Sequence, residues 1–371
     1  MVERRRLPSA SYHSPFENEC WSRCLFAEQL VMIIDDNRDA AQIARHVANK
    51  QPAPAPFFVM DMPSVMARVD DWQRHLSRVQ AYYALGCNAD PVLARILADV
   101  ARLGFAVSDT QQLVTVSGKT IHDQIVKALE LVPANRIIMD CPLWTRKAMR
   151  VAGECDVGTI VIENEKELMD AISYAPHARI LLAMSLAGSR NNSDSLCTRK
   201  GASIEELEEI LITAFELRAN IVGIRLILNF RLTGILVIRN SYFAASAFVL
   251  CTNVIGKKAL EARYITKDDF DDGVGFVYQT NDSVYGSFGC LLMNSQLECI
   301  PLDEISDAPQ HFGTILGASL QPGDVAQSLI RCRQLCVGDW LLWRDAGAYT
   351  MPLNGEYAVP PVYYFAGTDK W

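Results

Sequence analysis

The sequence lacks the runs that mark special environments. No apolar stretch approaches the roughly 20 residues needed to span a bilayer. Met1 to Arg6 leads into no continuous apolar signal core, so a soluble, cytoplasmic protein is expected. Nor is there a block of like charge. The 35 Lys and Arg stand against 43 Asp and Glu, a formal net charge of -8 with the signs interspersed. Such a surface argues against nucleic-acid binding. Histidine is scarce: the six residues are isolated and none has metal-ligand spacing with Cys or acid partners. Gly-x-Gly-x-x-Gly, P-loop, His-Glu-x-x-His and Gly-x-Ser-x-Gly motifs are all missing, as are internal repeats and low-complexity tracts.

What is present is a large core. The chain has 371 residues, enough for two domains, and half of them are hydrophobic while 21% are charged, which excludes global disorder. Eleven cysteines are scattered along it, an odd number that reads as reduced thiols rather than a disulfide framework. Cys20 with Cys24 and Cys332 with Cys336 form close pairs. Zinc motifs use tighter knuckles, so structural thiols and no metal are expected.

Residues 1–36 hold two polar stretches around the apolar run Leu25 to Ile34. Asn37 to Lys50 reads as a helix with Ala40, Ile43, Ala44 and Val47 on one face. Gln51 to Pro56 alternates proline and reads as a linker. From Phe57 short β-rich runs alternate with amphipathic segments. Strands are expected at Phe57–Met60, Gln80–Leu85, Gly104–Ser108, Arg136–Met139, Thr159–Ile162, Arg179–Ser185 and Ile221–Leu228. Asp90 with Pro91 starts one intervening helix, and Ser203 with Glu206 makes a capping box for another. This alternation predicts an α/β fold, a (β/α)₈ TIM-type barrel.

The alternation then fails. The strand-like run Gly234 to Ile238 follows Leu228 with only Asn229 to Thr233 between, too short for a parallel crossover of about a dozen residues. The barrel is expected to be incomplete after Leu228, leaving strand edges and apolar helix faces uncovered. Beyond Asn240 the runs Tyr242–Val254, Gly275–Gln279, Trp340–Trp343 and Val362–Phe365 predict an antiparallel C-terminal β domain. The expected division is 1–56 as an N-terminal segment and linker packing on the β domain, 57–238 as the barrel, and 239–371 as the β domain.

Several segments carry a family resemblance. Tyr82-Tyr83-Ala84-Leu85-Gly86-Cys87-Asn88 is similar to a Tyr-Ala-Val-Lys-Cys-Asn signature. Phe57-Phe58-Val59-Met60-Asp61, Arg136-Ile137-Ile138 and Glu163 to Leu168 fit the same pattern. So do Ala245 to Phe248, Asn253-Val254-Ile255, Lys257-Lys258, Asn281 to Phe288, Val337 to Trp340 and Gly347 to Thr350. Over roughly Phe57 to Trp371 the chain resembles the eukaryotic ornithine decarboxylases. These are pyridoxal-phosphate enzymes with an alanine-racemase-like barrel and a C-terminal β domain, and their inactive relatives are the antizyme inhibitors.

The resemblance assigns roles to positions, and most positions hold the wrong residue. The lysine that anchors the cofactor falls on Gly86. An acidic position falls on Ala106, the acid facing the pyridine nitrogen falls within Ile235–Ile238, and the ring-stacking histidine falls on Ile227. The Gly-rich phosphate loop is missing, and its Glu-Pro-Gly-Arg turn is replaced by Ile238-Arg239-Asn240-Ser241. The catalytic cysteine and substrate aspartate fall on Leu320 and Gln321, and a second substrate aspartate on Asn294. Tyr349, a phosphate-contacting position in the family, survives. The resemblance therefore implies no bound pyridoxal phosphate and no catalysis.

It also implies a partner. The antizyme-binding element of the family corresponds to about Leu143 to Glu167, where Arg146, Lys147 and Arg150 are retained. Trp144 replaces an expected lysine, and Cys155-Asp156 an Asn-Gly. An antizyme-inhibitor-like role in polyamine metabolism is expected, with a homodimer or a heterodimer with an active ornithine decarboxylase also implied. Two other readings stay open: a residual amino-acid decarboxylase in putrescine biosynthesis, and a decayed or mis-spliced family member.

Overall fold

Capping and periodicity place most elements. The computed structural model describes residues 21–34, 38–108, 128–185, 201–227, 241–293, 296–303, 305, 307–319, 321–351 and 359–367. The chain opens with β1 (Ser22–Phe26), β2 (Gln29–Ile34), α1 (Ala40–Lys50), β3 (Phe57–Asp61) and α2 (Met62–His75). Next come β4 (Tyr82–Ala84), α3 (Pro91–Asp99), β5 (Gly104–Val107), α4 (Ala128–Leu131), β6 (Ile137–Met139), α5 (Arg146–Glu154), β7 (Thr159–Ile162), α6 (Glu165–Tyr174), β8 (Arg179–Ser185), α7 (Ile204–Glu216) and β9 (Ile221–Ile227). Last are β10 (Phe248–Glu261), α8 (Arg263–Thr266), β11 (Val274–Thr280), β12 (Glu298–Pro301), β13 (Gln310–Leu316), β14 (Val325–Arg333), β15 (Trp340–Arg344) and β16 (Val362–Gly367). Two units result, Met1–His75 with Ser241–Trp371, and Leu76–Asn240.

In the first unit one sheet runs β1-β2-β16-β3-β10-β11-β13-β14, with β15 bonded to β10 and β12. The apolar run after Leu25 forms a hairpin whose two-residue turn puts Ala27 and Glu28 at φ 48° and 62°. Both values suit the turn that matches strand twist. The strand expected to lead into the barrel, β3, is bonded in this sheet to β16 in parallel and to β10 antiparallel. Its residues Phe57 and Val59 pack with Val249, Cys251, Leu342 and Phe365 beneath Ile43, Ala44 and Val47 of α1. That helix starts at Asp39, whose carboxylate accepts from Gln42 N at 2.7 Å, while Gln42 Oε1 accepts from Asp39 N.

The run Tyr242–Val254 becomes a strand only from Phe248. Before it, Tyr242 donates to Asp71 at 2.6 Å and Trp72 packs on Tyr242 and Phe243. These side chains hold residues 242–247 against α2 in turns and a 3₁₀ segment instead of an extended strand. The bond from Tyr242 holds the Asp71 carboxyl below its ordinary value. The nine described cysteines are all free thiols. Burial pushes Cys290 and Cys332 up to about 11, so both stay protonated at neutral pH.

The second unit is a six-stranded, wholly parallel sheet in chain order, β4-β5-β6-β7-β8-β9. β5, β6 and β7 are buried throughout, as parallel strands with covered faces must be. Asp90 caps α3 by accepting from Val92 N and Leu93 N. The expected capping box at Ser203 and Glu206 starts α7. The run Gly234 to Ile238 lies outside the described residues.

A buried carboxylate pair ties down the loop after β13. Asp324 is 3% exposed and accepts from Ser283 Oγ, Val284 N and Ser319 N at 2.8–2.9 Å. A Cβ on Gly317 would come within 2.0 Å of this carboxylate, so only glycine fits there. Burial opposes charge on Asp324, and the bonds from Ser319, Val284 and Ser283 outweigh it, holding the carboxyl below its ordinary value. Neighbouring Asp282 is different. Burial pushes its carboxyl up despite bonds from Ser287 N and Ser283 N, and its Oδ2 is buried with no partner.

Asp324→Ala strands three donors in the core and should lower stability by about 3 kcal/mol or more, read by denaturant unfolding. The pH dependence of the pair has opposite signs. Stability from Asp324 is present above the ordinary carboxylate pKa and is lost as pH falls through its lowered value. Asp282 costs stability as pH rises from the ordinary value through its raised one. Asp282→Asn keeps an oxygen for both N–H donors, so it should melt higher than wild type at neutral pH and lose that gain in acid. A neutral-pH melting temperature below wild type would contradict the assignment.

Candidate functional site

In a parallel α/β sheet the side chains that do chemistry gather at the carboxyl ends of the strands. At the end of β4, Gly86 lies in a turn closed by Cys87 N donating to Ala84 O at 3.0 Å. Tyr83 Oη donates to Asn88 O, and Asn88 Oδ1 accepts from Asp90 N, so the turn is fixed to the start of α3. Ala106 on β5 is opposite Ala84 and is 6% exposed. Past β6 come Asp140 and Cys141, with Asp140 N bonded to Val107 O. Past β7, Glu163 Oε2 accepts from Gly201 N at 3.3 Å. Ile227 closes β9, paired in register with Ser185.

One ion pair joins these ends, and the motif comparison in the sequence did not single it out. Arg225 of β9 reaches Asp140 after β6 at 2.8 Å, with the side chains 29% and 17% exposed. Two strands, β7 and β8, lie between them. At about 4.8 Å per strand a flat sheet would separate β6 from β9 by about 14 Å. The contact therefore requires both side chains on one face and a sheet curved around it. Two sequence signals could have pointed to the pair: an arginine inside the apolar strand Ile221–Leu228, and an aspartate directly after Ile137-Ile138-Met139.

Ser241, Gln321 and Tyr349 lie in the first unit. Ser241 and Gln321 are exposed, and Tyr349 is half-buried with φ 58°. Ile238, Leu320 and Asn294 lie outside the described residues. Gln321 borders an open cavity of about 470 Å³ with Lys257, Tyr278, Gln279, Ser319 and Asp324. The Asp324 carboxylate there is already engaged by its three donors, and the Lys257 ammonium sits 4.7 Å from the Phe276 ring centre. That leaves the cavity without a poised acid or base among these groups.

On the outer surface of the second unit, Thr145 caps α5, whose Ala148, Met149 and Ala152 are buried. Arg146, Lys147 and Arg150 are exposed on the opposite face, with Arg150 against the Tyr174 ring. Trp144 donates to Val161 O at 2.8 Å, a packing role at the end of β7. No described helix is long and apolar enough to cross a membrane.

Comparison with known proteins agrees with this architecture. The family described as "Pyridoxal-dependent decarboxylase, pyridoxal binding domain" matches residues 62–228. Ornithine decarboxylase of Caenorhabditis elegans is 25% identical, covering 91% of this chain and 96% of its own. Antizyme inhibitor 1 of Mus musculus is 24% identical, covering 85% of this chain and 83% of its own. The arginine decarboxylase of Paramecium bursaria Chlorella virus superposes with a TM-score of 0.71 at 19% identity, over 88% of this chain and all of that one. The fold is thus that of these decarboxylases, and the chain is similar in sequence to ornithine decarboxylases and antizyme inhibitors over most of its length.

Proposed function

We propose that this chain is a non-catalytic member of the ornithine decarboxylase family that acts in polyamine metabolism by binding another protein, antizyme being the partner. The observation that carries this reading is the set of groups at the strand ends. Pyridoxal phosphate in this family needs an amine to hold it, a nest for its phosphate and an acid at its ring nitrogen. Among the described residues the ends of β4 to β9 offer Gly86, Asn88, Ser108, Asp140, Cys141, Glu163, Ser185 and Arg225, and no lysine. Lys147 and Lys166, the described lysines of this unit, are exposed on α5 and α6. Asp140 already pairs with Arg225. This donor set does not fit the cofactor. The ion pair acts instead as a staple across the curved face.

Binding falls to the surface. Relatives named antizyme inhibitors align with 85% of this chain, and the exposed Arg146, Lys147 and Arg150 of α5 give an acidic partner three cations on one helix face. Exposed Leu143 lies beside them and supplies an apolar contact.

Two outcomes test this reading. Arg225→Ala should lower stability by about 1–3 kcal/mol, between the values for exposed and buried pairs. Replacing both Arg225 and Asp140 by leucine should recover most of that loss. Purified chain should bind antizyme in solution, and reversing Arg146, Lys147 and Arg150 together to glutamate should weaken binding at least tenfold, about 1.4 kcal/mol, with little change in melting temperature. Wild-type chain that fails to bind antizyme removes the partner from the proposal.

A further inference from the structure

The helix α7 has three distinct faces. Leu207, Ile210 and Ala214 are buried. On one flank Thr213 donates to Glu165 of α6 at 2.9 Å. Turning about 100° per residue, the opposite flank presents Ile204, Leu211 and Phe215. They are not buried: Leu211 is 46% and Phe215 87% exposed. Strand β9, which follows α7 in the chain, is equally bare. Arg225 points to the concave face to meet Asp140, so its neighbour Ile224 points to the helix-bearing face, where it is 53% exposed, with Val222 also exposed. Among the described residues of this unit no helix follows β9.

Exposed apolar side chains grouped in this way mark an interaction surface. Its charge selects the occupant. Glu205, Glu208, Glu209 and Glu216 are exposed on α7, against Arg218 at its end. A second copy docked face to face would bring these carboxylates together, and like-charge juxtaposition disfavours that arrangement. We propose that the strip formed by Ile204, Leu211, Phe215 and Ile224 docks an amphipathic helix of a partner protein, apolar on its buried side and carrying Lys or Arg along its edges. This surface goes beyond the basic α5 face invoked for antizyme and is opposite to it in sign.

The test uses the full chain and a fluorescently labelled helical peptide of leucine and lysine in amphipathic order. Saturable binding is expected, weakened by salt, and weakened at least tenfold by Phe215→Glu and by Leu211→Glu. Both residues are solvent-exposed, so each variant should fold, as circular dichroism can verify. Phe270→Glu, at an equally exposed phenylalanine in the acidic loop Asp268–Asp272, should leave binding unchanged, as should charge reversal on α5. No binding by wild type, equal binding of a serine–lysine control peptide, or equal loss with Phe270→Glu would each overturn the proposal. Concentration-dependent self-association abolished by Phe215→Glu would instead give the strip to a second copy, and would overturn it too.

Discussion

A guanidinium that reaches over two strands to a carboxylate constrains everything around it. Arg225 and Asp140 meet only because the parallel sheet curls, and they leave the interior of that curl occupied by a closed charge pair. In a working enzyme of this fold the same strand ends hold groups kept open for substrate and cofactor. Here the partly buried charges satisfy one another, and removing one would leave the other stranded at low exposure. The pair also sets the direction of β9: with Arg225 turned inward, Ile224 must turn outward. The interior staple and the bare outer strip are two faces of one strand.

Much of this was legible in the sequence because it rests on local rules. The Asp90 and Ser203 caps, the proline linker and the strand runs from Gly104 to Ile227 all depend on residues within a few positions of one another. What escaped was set by distant partners. Nothing near Phe57 says that β3 will lie between β16 and β10, since those strands come from the far end of the chain. Tyr242 to Ala247 reads as strand until the Asp71 and Trp72 contacts draw it onto α2. Arg225 and Asp140 are 85 positions apart, so their pairing could not be read from either neighbourhood. The candidate site was legible only through the resemblance, which puts Gly86 and Ala106 at assigned positions but does not reveal the ion pair that stands among the strand ends.

Two surfaces of opposite sign follow from the same barrel-like unit. Helix α5 turns three cations outward, while α7 turns carboxylates and an apolar strip outward. In a regular strand–helix alternation the helix after β9 would cover such side chains. The uncovered strip instead fits the expectation, drawn from the short junction after Leu228, that shortening the alternation bares helix and strand faces. The proposed binding role rests on these two outer faces.

The central claim is that the strand ends cannot support decarboxylation, and that Gly86 is one of several coordinated losses. The most direct measurement is release of labelled CO₂ from carboxyl-labelled ornithine, with pyridoxal phosphate supplied, by the wild-type chain and by Gly86→Lys. Neither should exceed the enzyme-free control. Release above that control by the wild type would contradict the account outright. Release by Gly86→Lys would show that a single residue separates this chain from catalysis.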